Sequence, residues 1–498
     1  MSEAPLYTAH DFKHGMPPRI FGSETEYTSS NGIEDIFLPR GMHPDTGVEQ
    51  QVLDDFIPPE IVVGIGRHTM QSAVLTTGGE MYLDCGDIVE YATPECNTPK
   101  ELVGHIRAGE EAVLQTLNNA DETFSHVFLR RMMLTKRAGF AHVQTGSGVL
   151  MIENSLGHHE NYYSPMPEYP KHSLARDKLE EEMKASEPMQ QIIGFLALRK
   201  IIDGIGMVDY DNYSISQKAT AFDINNMFTV STTHGKKIAL RVQQDRLEIR
   251  TGEGSKSDWA EEFKYSLTSL ILRLVEHGKY PRELMLDNPQ AALNILCEDP
   301  KAKVALKSGD EMRGMDILKN LVDEAMELHI EHPDAPRYER KAALDFYDFY
   351  SDLENINLRD NDAKALADRI DWAARFNFLV RRGGTYETLN TRNLNAVRDD
   401  LKWDIVGEKD IARKYFHKFG HTALRGIYLP PPNTRAKGRI ELAKYLDEHH
   451  GVRSIEWDSI ELLHGNSYPL LNPYGVSPER IQEIKNMADG RFDDTDFE

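Results

Sequence analysis

The sequence predicts an α+β chain built as one large unit followed by a small one. Three observations carry this reading. Short β-rich runs fall at 19–27, 78–93, 126–153 and 213–253. Helical periodicity fills 99–118, 173–203, 258–278 and 310–380. A breaker followed by a basic run, LPPPNTRAKGR at 429–439, sets off the last part. At 498 residues the chain is too long for one small core. The expected division is a flexible arm at 1–18, a main domain at 19–420, and a small α/β domain at 421–498 with an acidic tail.

Each element has a local reason. The arm is polar and ends in Pro17-Pro18, and RIFGSETEY (19–27) begins the first strand. Gly, Pro and Asp clusters make 28–72 a long loop with short elements. PKELVGHIRAGEEAVLQTLN (99–118) has apolar residues at helical spacing after a proline start. Residues 173–203 read as one long charged helix. DWAEEFKYSLTSLILRLVEHG (258–278) reads as an amphipathic helix with a glycine stop. The aromatic stripe of DRIDWAARFNFLVRR (368–382) reads as a packed core face.

The chain carries 57 Lys+Arg against 80 Asp+Glu, a formal net charge of −23. That balance argues against non-specific nucleic-acid binding and against adhesion to anionic membranes. Three scattered cysteines, Cys85, Cys96 and Cys297, read as reduced thiols. With no signal pattern and no apolar run of bilayer length, the expectation is a soluble, cytoplasmic protein.

Four segments concentrate chemistry. In GSETEY, Glu24 and Glu26 are two apart, so a strand puts both on one face, where like charges call for a cation. Hard oxygen donors suit Mg²⁺, with Mn²⁺ as the alternative, although a solvated strand edge has the same pattern. In YLDCGDIVEYATPEC (82–96), Tyr82 and Asp84 share a strand face, and Glu90 and Thr93 follow a glycine-containing turn. In DRLEIRTGEG (245–254), Arg246, Glu248 and Arg250 alternate with Leu247 and Ile249. This is either a cross-strand ion-pair row or a metal carboxylate flanked by two guanidiniums aimed at phosphate, with Gly252 and Gly254 letting backbone approach a ligand. In NSLGHHENYYSP (154–165), the spacing of His158, His159 and Glu160 is not that of a zinc hydrolase. His159 alone, on a metal or a nucleotide phosphate, is the preferred reading over an incidental polar loop.

These segments resemble the Pup ligase and Pup deamidase/depupylase family. YLDCGDIVEYATPEC resembles its YxDxGxHPEYxTxEC signature, GSETEY its opening Gly-x-Glu-x-Glu strand, and GHHENYY its GCHENY. PPPNTRAKGR resembles its PP-x-TRA-x-R segment, and Glu456-Trp457 its C-terminal DW. The likeness runs from about residue 19 to about residue 460. It implies a glutamine-synthetase-like fold, with a curved, largely antiparallel sheet packed on helices and a small C-terminal domain. It implies Glu24, Tyr82 and Glu90 on metal, Thr93 and Trp457 on ATP, and Asp84 as catalytic base. Glu26, His159 and Glu248 are weaker carry-overs for a second metal.

The sequence also departs from that pattern. Glu80 stands where the family has arginine, Ile88-Val89 where it has His-Pro, and RLE where it has RLH. Its NTRDEPHAD segment aligns loosely with TTHGKKIAL, so that His234 stands in the place of a phosphate-facing arginine. These changes imply a phosphate clamp moved to Arg250, with Arg246 behind it, and a partner that need not be Pup. The expected chemistry joins a carboxylate donor (a small-protein tail, peptide or amino acid) to an amine acceptor through an acyl-phosphate made with ATP and Mg²⁺. The competing readings are an amidase or deconjugase on the same fold, toward which ISQKA (215–219) leans, and a nucleotide-binding regulator without turnover.

Overall fold

The computed structural model describes residues 6–30, 57–66, 72–84, 88–124, 133–135, 142–145, 148–151, 157–166, 169, 176–209, 211–218, 240–243, 245–407, 410–416 and 429–490. His234, Cys85 and the last eight residues of the acidic tail lie outside them. Strands are β1 (Phe21–Ser30), β2 (Val62–Gly66), β3 (Ser72–Leu75), β4 (Glu80–Asp84), β5 (Ile88–Ala92), β6 (Met133–Thr135), β7 (His142–Thr145), β8 (Gly148–Met151) and β9 (His158–Tyr163). Then follow β10 (Met207–Val208), β11 (Tyr213–Ser214), β12 (Leu240–Gln243), β13 (Arg246–Ile249), β14 (Lys303–Ala305), β15 (Glu311–Arg313), β16 (Ile405–Val406), β17 (Val452–Ile455), β18 (Ser459–Leu462) and β19 (Ser467–Pro469). Helices are α1 (Ala9–His14), α2 (Pro99–Phe124), α3 (Arg176–Ala185), α4 (Glu187–Asp203), α5 (Asp258–Glu276), α6 (Pro289–Glu298), α7 (Gly314–Glu331), α8 (Arg337–Leu353), α9 (Asp371–Arg381), α10 (Leu394–Trp403), α11 (Arg435–His450) and α12 (Pro478–Ala488).

The expected α+β architecture is the one adopted. A ten-stranded antiparallel sheet runs β12–β13–β9–β1–β5–β4–β3–β2, with β6 also on β1 and β16 on β6. Strand alternation gives this sheet two unlike faces. Phe21, Tyr162, Leu247 and Ile249 point back into the main core, shared with α4 and α5. Tyr27, Met81, Val89 and Tyr91 pack against α2. There Gly109 meets the Tyr91 ring so closely that an added Cβ would lie 2.0 Å from it, so the helix needs glycine. The other face carries Glu24, Glu26, Glu90, Tyr82, His159 and Glu248.

Residues 429–490 form α11, the β17–β19 sheet and α12 around a small core of their own. Val74 of β3 and Val63 of β2 join that core. Val74 is in register with Glu80, and Glu80 with Ala92, so this module packs against the carboxylate-bearing face at its β2–β3 end. No described helix is long and apolar enough to cross a membrane.

Three local expectations are corrected. Residues 6–18 are not a loose arm: Phe12 is fully buried, with the Arg19 and Arg273 guanidiniums 5.1 and 5.3 Å from its ring centroid. Residues 173–203 do not form one helix. Ser186 caps α4, whose second residue is Pro188, so the chain stops at Ala185 and restarts. Nor is α5 one-sided: its polar residues Lys264, Arg273 and Glu276 are as buried as its leucines, because each has an ion-pair partner.

Truncating Phe12 tests the first correction. Phe12→Ala is expected to destabilise the chain by about 3–5 kcal/mol in denaturant unfolding, as for a core phenylalanine. A loose arm would give a change within about 0.5 kcal/mol.

Candidate functional site

β1 and β9 pair Glu24 with His159, β1 and β5 pair Glu26 with Glu90, and β4 and β5 pair Tyr82 with Glu90. With Glu248 of β13, opposite Asn161 of β9, the front face therefore gathers residues from five strands. His159 Nδ1 lies 3.1 Å from Glu24 Oε2, 3.7 Å from Glu248 Oε1 and 3.9 Å from Glu90 Oε1. One ligand atom each from Glu24, Glu90 and His159 falls within 4.8 Å of the others. Carboxylate oxygens with one imidazole nitrogen make a donor set that fits a hard divalent cation.

Arginines share the charge balance. Arg250 Nε is 2.9 Å from Glu248 Oε1, Arg246 Nη1 donates to Glu24 at 3.3 Å, and Arg241 Nη1 is 3.8 Å from Glu248 Oε2. Asn161 Nδ2 also donates to Glu24 at 3.1 Å. Burial opposes charge on Glu24, but the His159 hydrogen bond and Arg246 outweigh it and hold its pKa well below the usual range. The three arginine side chains are 26–37% exposed, so each can turn toward an incoming anion.

The remaining expected residues divide. Glu26 accepts a short hydrogen bond from the Gly157 amide and stands outside the Glu24–Glu90–His159 group. Tyr82 is buried beside Glu90 in register. Asp84 ends β4 opposite Ile88, and its side chain lies outside the described residues. Glu80 is buried on β4, opposite Ala92. His158 and Glu160 take the opposite face from His159, which explains why His-His-Glu makes no metal triad. His158 contacts Thr25, Lys264 and Tyr265, and Glu160 pairs with Arg199 at 2.5 Å. Gly252 brings backbone close to the protein, not to a ligand: a Cβ there would lie 2.4 Å from Glu160 Oε1 and 2.9 Å from the His158 carbonyl. ISQKA is also used internally, with Ser216, Gln217 and Lys218 donating to Glu253.

Beside the carboxylates opens a cleft of about 1150 Å³. Thr93, Trp457, Arg246 and Glu24 line it, while Arg250 is not among its lining residues. The Thr93 hydroxyl accepts from the Ser23 amide at 2.9 Å, holding the end of β5 against β1. Sequence reasoning missed much of the wall: Tyr7–Ala9, Glu95, Asn161, Asp245 and Arg435. Two signals were available. Arg241 lies across the β12–β13 hairpin from Glu248. Glu95 and Arg435 lie inside the TPEC and TRAKGR segments, and they pair at 2.8 Å.

The family model described as Pup-ligase protein matches residues 19–461. A Pup–protein ligase of Acidimicrobium ferrooxidans is 26% identical over 448 residues, covering 85% of this chain and 90% of its own length. One of Kineococcus radiotolerans is 26% identical over 500 residues, covering 94% of this chain and 99% of its own. Among solved structures, the complex of the prokaryotic ubiquitin-like protein Pup with its ligase PafA aligns with a TM-score of 0.70 at 18% identity, over 96% of each chain. PafA with ADP aligns at 0.66 and 18% identity, over 86% of this chain and 92% of that one. These alignments show a shared fold.

The two histidines should separate in experiment. His158→Ala, which leaves Lys264 and Tyr265 short of a buried partner, is expected to cost about 2–3 kcal/mol in denaturant melts. His159→Ala should change stability far less and alter metal-dependent behaviour instead. A pH series tests the buried pair. Burial opposes charge on Glu160, but Arg199 outweighs it and lowers its pKa from 4.5 to about 2. The group then stabilises the fold fully above about pH 4.5, and that contribution is lost as pH falls toward 2. Glu160→Gln should lower the melting temperature at pH 7 and flatten the fall in that window; an unchanged acid limb would contradict it.

Proposed function

The chain belongs to the Pup-ligase protein family, and on that premise we propose an ATP- and Mg²⁺-dependent carboxylate–amine ligase that forms an isopeptide bond in the cytoplasm. The observation that carries the reading is the convergence of Glu24, Glu90 and His159 at the edge of a cleft that shares Glu24 and Arg246 with them. The carboxylate donor is a small protein of the Pup type, the substrate in the relatives' name, and the acceptor is a lysine of a second protein.

In this reading Thr93 and Trp457 take the base and ribose end of ATP, with the phosphates toward Arg246. Glu24, Glu90 and His159 would hold Mg²⁺, with Glu248, Tyr82 and Glu26 around them. When bound, the ion supplies Lewis-acid neutralisation of the phosphate charge. Arg241, Arg246 and Arg250 rest on Glu24 and Glu248, and Arg246, which lines the cleft, turns to phosphate oxygens when ATP enters. Glu24 is then free to serve as a ligand, so charge stays balanced in both states. The donor carboxylate attacks the γ-phosphate, ADP leaves, and an acyl-phosphate forms. The acceptor amine attacks its carbonyl, phosphate leaves, and Asp84 takes the amine proton.

The test is direct. Incubated with Pup, ATP, Mg²⁺ and a lysine-bearing protein, the chain should release ADP and phosphate in step with a new isopeptide bond. Bond cleavage without ATP turnover would favour the deconjugase. Asp84→Asn should keep ATP binding and lose about 10²–10⁴ in rate. Arg246→Ala should raise KM for ATP by on the order of tenfold and leave the fold intact.

A further inference from the structure

One buried carboxylate, with the arginines it binds, links three segments around the cleft. Glu95 follows β5 in the TPEC segment. Arg435 and Arg439 lie on α11 in TRAKGR, and Trp457 lies in the β17–β18 turn. Arg439 is 1% exposed. Its Nη1 donates to Glu95 Oε1 at 2.8 Å and to the Trp457 carbonyl at 2.6 Å. Its Nη2 donates to Glu95 Oε2 at 3.1 Å and to the Gly78 carbonyl at 2.7 Å. Its guanidinium also lies 5.0 Å from the centroid of the Trp457 ring. Arg435 Nε adds a 2.9 Å bond to Glu95 Oε1, and Arg435 Nη1 donates to the Leu470 carbonyl at 3.0 Å. Thr93, two residues before Glu95, lines the same cleft as Trp457 and Arg435.

From this geometry we infer that Arg439 is a positioning residue: clamped by Glu95, it fixes Trp457 in the wall of the cleft that Thr93 also lines, so that the nucleotide base meets a fixed platform. The inference rests on the reading that Trp457 touches nucleotide. The chemistry requires arginine. A guanidinium reaches both Glu95 oxygens and two carbonyls while its centre stays 5.0 Å from the indole centroid; an ammonium is a point charge that cannot cover all these partners at once. The Gly78 bond ties the same group to the turn leading into β4, so strand, α11 and Trp457 share one anchor.

A double-mutant cycle on the full chain tests this. Trp457→Ala is expected to raise KM for ATP by on the order of tenfold with kcat for donor conjugation little changed. Arg439→Lys should do nearly the same, and Arg439→Lys with Trp457→Ala should be no worse than Trp457→Ala alone. Additive losses, or a fall in kcat at unchanged KM, would show a structural role and overturn the inference. Glu95→Asp keeps the buried charge balanced and serves if Arg439→Lys does not fold. It should raise KM for ATP in the wild-type background and have no further effect once Trp457 is alanine; a KM unchanged by Glu95→Asp overturns the inference. If Trp457→Ala leaves ATP affinity intact, the nucleotide reading of Trp457 fails instead, and the positioning role falls with it.

Discussion

The ion pair between Glu160 and Arg199 determines which side of the central sheet can do chemistry. Both groups are fully buried; the Tyr162 hydroxyl donates to Glu160, and Arg199 also donates to Thr268 and pairs with Asp203 at 2.8 Å. Taking two charges out of water is costly and is offset only by close, fully bonded geometry. A slip of one residue in β9 would carry Glu160 to the front and His159 into the core, breaking both sets of partners. Buried pairs of this kind add little stability over a well-packed apolar alternative, but a register slip here would leave both charges without their partners. His158, bonded to Thr25 on β1, secures the neighbouring strand in the same way. With β9 and β1 locked, Glu24 and His159 must meet on the front face.

That face manages a concentration of negative charge inside a chain already at −23. Arginines on the β12–β13 hairpin balance Glu24 and Glu248, and their partial exposure leaves them able to change partners. A net-acidic chain discourages polyanions, while the arginines beside Glu24 and Glu248 suit a small anion. The overall charge and the local charge therefore do different work.

The C-terminal module completes the site from the other side. Its small core borrows Val63 and Val74 from the sheet edge, and Glu95 accepts from two of its arginines. Burial opposes charge on Glu95, yet Arg439 and Arg435 hold its pKa down at about 2, so the link remains ionised at any ordinary pH. The N-terminal residues close the same cleft, with the Tyr163 hydroxyl bonded to the Tyr7 carbonyl and the Tyr7 and Tyr474 rings edge-on at 4.9 Å. The segments around Tyr7 and Tyr474 thus meet at one pocket.

By itself the sequence determined what period and residue type encode. The alternation in GSETEY and RLEIR placed Glu24 with Glu26, and Arg246 with Glu248, because a strand repeats every two residues. The same rule, applied to His-His-Glu, separates His159 from its neighbours. Local pattern could not say which strands lie side by side. The sequence separations from Glu24 to His159 and to Glu248 are bridged by sheet order, and that order is decided by back-face burial summed over the whole core. Tertiary structure alone turned Gly252 toward Glu160, paired Glu26 with the Gly157 amide, and buried Phe12 beneath two arginines. It also joined Glu95 to Arg439 and Trp457, because such contacts depend on partners far along the chain that no window of sequence contains.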